Sequence, residues 1–224
     1  MNDELIKDKL MDIYNKMYRH FGPRHWWPAD TPFEVAIGAI LTQNVAWRNV
    51  EKAISNLKNS NMLEIGSIAR ANQEELAQLI RPTRYYNIKA KKLRAFCRHV
   101  IDNYDGSLEL LFKKELWSLR DELLSIYGIG EETADSIILY AAQKPVFVVD
   151  AYTKRIFSRL AMVEPDIEYR PLQRFFMDNI PPDLALYNEY HALIVALGNN
   201  YCANKKPLCS KCPLEQLCSF PSKL

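Results

Sequence analysis

The chain has 224 residues, 48% of them apolar, with only 7 glycines and a formal net charge of +2. That composition suits one large or two small compact helical domains and excludes disordered and fibrous classes. No apolar run reaches the roughly 18 residues of a membrane span, so no membrane partner is expected. The acidic start Met1-Asn2-Asp3-Glu4 leads into an amphipathic pattern, not a secretory signal, so the expected location is the cytoplasm. The weak positive balance permits nucleic-acid binding, and only local clustering can argue for it.

In chain order, residues 3–19 predict a helix with Leu10, Ile13 and Met17 on one face. A proline- and aromatic-rich loop follows, Phe21 to Pro28, holding Trp26 and Trp27; these either plug a gap or wall a flat pocket. Asp30 or Thr31 caps the next helix, with Pro32 in its first turn and Phe33, Ile37 and Leu41 along its core face. The polar turn Leu41-Thr42-Gln43-Asn44 ends it, and Trp47 opens a helix to about Leu57. Short helices fit 62–68 and 73–80. Residues 81–98 carry seven basic residues and no acid; Ile88, Leu93, Phe96 and Cys97 face inward and the cations outward. That pattern is either a solvated helix face or a surface that tracks phosphates.

Leu116, Leu119, Leu123 and Ile126 then recur at helical spacing, as do Ala134, Ile137, Ile138 and Ala141. The turn between them, Gly128-Ile129-Gly130, has glycine at alternate positions. It reads as an ordinary helical hairpin or as a site whose backbone amides and helix dipole meet a phosphate. After Lys144-Pro145 the apolar run Val146 to Val149 leads to Asp150, which begins a helix to Leu160. Helices near 169–178 and 183–198 complete an all-α pattern.

Four of five cysteines crowd the C-terminus as Cys202-x6-Cys209-x2-Cys212-x5-Cys218, while Cys97 stands alone in a helical pattern. In a reducing compartment the four suit a metal site better than disulfides. Their spacing is too tight for two paired zinc knuckles and suits a [4Fe-4S] cubane with one cysteine per iron, zinc being the alternative. Lys205, Lys206 and Lys211 are interleaved, either to meet a phosphate backbone or to offset the cluster's charge.

Together these features resemble the endonuclease III superfamily of helix-hairpin-helix DNA glycosylases, over essentially the whole chain. The motifs are the hairpin Ile126-Tyr127-Gly128-Ile129-Gly130 with Thr133-Ala134, Asp150 after Val148-Val149, and the four cysteines. Leu41-Thr42-Gln43 resembles a turn that enters the duplex beside the damaged base, and Tyr86-Asn87-x-Lys89-Ala90 a helix start near DNA. The resemblance implies a six-helix barrel with the hairpin, about 31–144, and a second helical domain from 1–30 and 145–224 that holds the cluster. The damaged nucleotide would be flipped into the cleft between them. It implies DNA contacts at Gln43, Tyr86, Lys89, Gly128, Ile129, Gly130 and Thr133, with a monovalent cation possible on the hairpin carbonyls, and a monomer on damaged double-stranded DNA.

Bifunctional members place a lysine two residues after the second hairpin glycine; here that residue is Glu132. A carboxylate cannot form an imine, so a monofunctional enzyme that leaves an abasic site is expected. Glu132 with its neighbours, Trp26-Trp27 and Trp47 after Leu41-Thr42-Gln43-Asn44 resemble the 3-methyladenine glycosylase branch, in which such aromatics stack on the flipped base. That branch in its nearest form lacks the four cysteines that this chain keeps. The resemblance implies a base pocket of Trp26, Trp27, Trp47 and Glu132, with Asp150 as catalytic carboxylate. Alternatives are a mismatch uracil/thymine or oxidised-base glycosylase, and a non-catalytic DNA-binding protein on the same fold.

Overall fold

The computed structural model describes residues 3–43 and 45–220; Asn44 of the predicted turn lies outside them. Among the described residues there are twelve α-helices and no strand. The chain divides into two compact units, one spanning Trp27–Lys144 and one built from both ends of the chain.

The first unit holds α2 (Pro32–Leu41), α3 (Trp47–Asn59), α4 (Ile65–Arg70), α5 (Gln73–Leu79), α6 (Tyr86–Tyr104), α7 (Leu108–Phe112), α8 (Leu116–Ser125) and α9 (Glu131–Ser136). A π-helical turn, Ile137–Ala141, extends α9. Thr31 caps α2 by accepting the Glu34 N–H at 3.1 Å, with Pro32 at the first helical position. From Glu34 to Leu41 every residue of α2 is buried, as suits a helix apolar on all sides. It packs on α6 and on the π-helical turn.

Two expectations for α6 are corrected. Ile88 is 49% exposed, and Lys89 is only 2% exposed. The buried stripe runs Lys89, Ala90, Leu93, Phe96, Cys97 and Val100, so Lys89 lies one turn ahead of Leu93 on the same face while Ile88 is rotated off it. The entry to α6 sets this register. Arg84 and Tyr85 both take left-handed backbone, φ 55° and 45°, between a 3₁₀ turn at Arg81–Thr83 and the helix.

The second unit contains α1 (Asp3–Phe21), α10 (Ala151–Arg159), α11 (Tyr169–Met177) and α12 (Leu184–Asn200). Leu10, Ile13 and Met17 of α1 are fully buried. Phe147 stacks on Phe176 with centroids 4.1 Å apart, and Tyr187 and Tyr190 meet Phe147 edge-on. The extended run Val146–Val149 is buried with no partner strand among the described residues; Gln173 Nε2 donates to Phe147 O at 2.8 Å and satisfies one of its carbonyls.

Candidate functional site

Helices α8 and α9 are clamped by a buried ion pair. Arg120 Nε donates to Asp135 Oδ1 at 2.7 Å and Nη2 to Oδ2 at 3.1 Å, with Glu131 Oε1 3.4 Å from Nη2. The fork and carboxylate fit bidentately, the geometry at which arginine excels. Between the helices, Gly128 has φ 81°, and a Cβ there would fall on the Lys92 methylenes. Gly130 is different: its backbone is ordinary (φ −97°, ψ 178°) and nothing lies within 4 Å of an added Cβ. Neither conformation nor internal packing requires glycine at 130. Glu132 is exposed in the first turn of α9.

The turn after α2 is tied to this hairpin. Gln43 Nε2 donates to Thr133 Oγ1 at 2.8 Å and to Gly128 O at 3.4 Å, and Lys92 Nζ donates to Gln43 Oε1. Lys89 Nζ donates to Leu41 O at 2.8 Å and to Thr83 O at 2.7 Å. Leu41 ends α2, so its carbonyl lacks a helical partner, and Lys89 supplies one together with a positive charge at the helix's negative end. Burial, aided by the charge of Lys92, lowers the Lys89 pKa to about 8; burial also lowers that of Lys92. Lys89 thus faces backbone carbonyls, not solvent. Tyr86 is half-buried, and its neighbour Tyr85 is 68% exposed in strained backbone. Half-buried Lys92 is the residue here that sequence patterning alone did not single out, whereas Tyr85 belongs with Tyr86 to the two tyrosines within the basic stretch.

Trp27 and Trp47 are brought together. Their rings meet edge to face, 5.2 Å apart and 89° inclined, and Trp27 also lies against Tyr140 and the backbone at Gly38. A base sandwich needs two parallel faces, so a base could lie against this pair and not between its members. Both rings line a cavity of about 290 Å³ together with Pro28, Glu34, Glu51 and Lys58. Lys58 bridges Asp30 at 2.7 Å and Glu34 at 2.9 Å, and the hydrogen bonds it donates to these carboxylates raise its pKa. Trp26 belongs to the other unit and is half-buried.

Asp150 caps α10 through a capping box. Its Oδ1 accepts the Thr153 N–H at 2.7 Å and hydroxyl at 2.8 Å, while its own N–H donates to Thr153 Oγ1. Oδ2 stands 3.8 Å from Nε2 of His191, a buried residue of α12. Burial alone would raise the Asp150 pKa. The His191 and Thr153 interactions outweigh it and hold the carboxyl below its ordinary value, so it is ionised at neutral pH. His191 was invisible in the sequence because a lone histidine on an apolar helix carries no signal.

Cys202, Cys209, Cys212 and Cys218 line one pocket with Arg159 and Tyr201. Arg159 Nη1 donates to Cys202 Sγ at 3.1 Å and to Ala203 O at 2.8 Å. Burial, with the other three sulfurs nearby, pushes the Cys212 thiol up to about 11. Among the described residues no group of three or more His, Cys, Asp or Glu is arranged to hold a single metal ion. Four thiols around one pocket are a donor set that fits a cluster with one thiolate per iron.

The described residues are all helical, with a glycine hairpin in one unit and a helix-capping aspartate in the other. The sequence model of the HhH-GPD superfamily of base excision DNA repair proteins matches residues 37–182, and the chain belongs to that family. It is 46% identical over 213 residues to a protein of Methanocaldococcus jannaschii named as a DNA repair glycosylase, covering 94% of this chain and 96% of that one. Its fold is similar to endonuclease III in a trapped covalent DNA intermediate, with TM-score 0.84, 25% identity and 97% of both chains covered. It is also similar to the Helicobacter pylori 3-methyladenine DNA glycosylase MagIII bound to 1,N6-ethenoadenine, with TM-score 0.72, 30% identity, and 87% of this chain and 96% of that one covered. No helix among the described residues is long and apolar enough to cross a membrane.

Proposed function

We propose that this protein is a monofunctional DNA glycosylase that releases cationic alkylated purines and leaves an abasic site. The observation that carries the reading is the cavity walled by Trp27 and Trp47 and edged by Glu34 and Glu51. Indole rings favour a positively charged base over a neutral one, by about 1–2 kcal/mol for a desolvated cation–π contact, and Glu51 adds a carboxylate to the lining, whereas Glu34 is already paired with Lys58. The likeness to MagIII supports the same choice. A purine methylated at N3 or N7 is already a good leaving group. One carboxylate then suffices to stabilise oxocarbenium-like charge at C1′ or to orient water, the role we give Asp150. Its Oδ1 is occupied by the helix cap, which fixes the carboxylate, while Oδ2 stands 3.8 Å from His191 Nε2 and carries the charge this role requires.

Glu132 stands where an amine would be needed for imine chemistry, so strand cleavage through a Schiff base is absent. Backbone amides at Gly128–Gly130 grip phosphate, Gln43 enters the duplex, and Tyr85 offers its exposed ring to the same DNA surface. Cys202, Cys209, Cys212 and Cys218 hold a [4Fe-4S] cluster, which would order the C-terminal loop and takes no part in the excision step. The test is to incubate the protein, with borohydride, with methylated DNA and with duplexes carrying uracil, mismatched thymine, 8-oxoguanine or thymine glycol. The reading expects 3-methyladenine release and no trapped adduct. Release of neutral bases alone overturns the substrate, and a covalent adduct overturns the mechanism.

A further inference from the structure

Lys92 touches both devices that the proposed function assigns to DNA. Its methylene chain fills the space against Gly128, where an added Cβ would land on Cγ, Cδ and Cε. Its ammonium donates to Gln43 Oε1. The other end of the same amide donates to Thr133 Oγ1 at 2.8 Å and Gly128 O at 3.4 Å. Only this orientation of the amide matches donors to acceptors, because an ammonium has no acceptor and a carbonyl no donor. The backbone of the same turn is held by Lys89 at Leu41 O. Gln43 is therefore fixed at its side-chain oxygen and nitrogen, and the helix end two residues before it is fixed at Leu41 O.

We propose that Lys92 is a positioning residue that holds the Gln43 amide in the orientation in which it enters the duplex, coupling insertion to the hairpin. This rests on the reading of Gln43 as the inserting residue and adds what aims it. A glutamine side chain loses rotamer freedom when it inserts, and prior fixation removes that cost from the binding step. A lysine serving only as a phosphate contact would act differently: its loss would lower the salt dependence of binding by about one counterion.

Lys92→Met keeps the packing against Gly128 and removes the ammonium. In the free protein, hydrogen exchange of the Gln43 side-chain amide should be slow and become about tenfold faster in Lys92→Met, the effect of losing one hydrogen bond, with Lys92→Arg restoring it. On a duplex with 2-aminopurine beside a tetrahydrofuran abasic analogue, Lys92→Met should reduce the fluorescence gain with an unchanged salt slope. In a Gln43→Ala background the same substitution should add nothing. Unchanged amide exchange, a full effect in Gln43→Ala, or a lower salt slope overturns the proposal. The duplex carries no excisable base, so failure to release methylated purines would sink the proposed function and leave this result standing. A Gln43→Ala variant with undiminished fluorescence overturns the proposal through its premise.

Discussion

Arg120 and Asp135 form a bidentate pair, 2.7 and 3.1 Å, that is almost wholly buried and joins the two helices of the hairpin. The hairpin turn is therefore held by a buried charge pair between its helices as well as by apolar packing. Removing one partner breaks a buried bidentate charge pair, which costs about 3–5 kcal/mol. Arg120→Ala should destabilise the protein by that order in urea unfolding, and the paired Arg120→Met, Asp135→Leu should recover most of it. A loss below about 1 kcal/mol, the value of an exposed pair, would show that the clamp is not desolvated.

Lys89 gives a second prediction. Its ammonium satisfies Leu41 O and Thr83 O, so Lys89→Met should orphan buried carbonyls and lower stability by about 1–3 kcal/mol. The salt dependence of binding to undamaged DNA should not change, because the side chain reaches no surface. A shallower salt slope would place Lys89 on a phosphate instead.

Glu122 sets a pH dependence. It accepts from Tyr104 Oη at 2.6 Å, from His99 Nε2 at 2.7 Å and from Lys114 Nζ. Burial pushes its pKa up, but these hydrogen bonds bring it down from 4.5 to about 2. The folded value is the lower one, so this contribution to stability is complete above pH 4.5 and is lost as pH falls through about 2. Glu122→Gln should be less stable than wild type at neutral pH, with the gap closing between those two values. A gap that stays constant down to pH 2 would refute the assignment.

The cysteine pocket is open to a direct check. The purified protein should be brown with thiolate-to-iron absorption, Cys212→Ser should lose both colour and iron, and Cys97→Ser should keep them. Colourless protein carrying stoichiometric zinc contradicts the cluster.

Much of this arrangement was legible because its signals are local. Thr31 and Asp150 lie at helix starts with the spacing that capping requires, and the hairpin glycines flank a short turn between two apolar periods. What was not legible depends on partners distant in sequence. A lysine in a basic stretch reads as solvated, and only the carbonyl end of α2 makes Lys89 turn inward. Arg120 and Asp135 sit 15 residues apart, and neither announces the other. Trp26, Trp27 and Trp47 were legible as aromatics of one expected pocket, but the perpendicular contact of Trp27 with Trp47, and the close approach of Trp27 to Gly38, were not.

The central claim is that a single carboxylate performs the excision. Asparagine caps helices about as well as aspartate, so Asp150→Asn should fold normally and bind abasic-analogue DNA with unchanged affinity. The decisive measurement is single-turnover release of 3-methyladenine by that variant beside wild type. Loss of the charge that stabilises the transition state should slow release by about 100-fold or more; release at the wild-type rate would contradict the account.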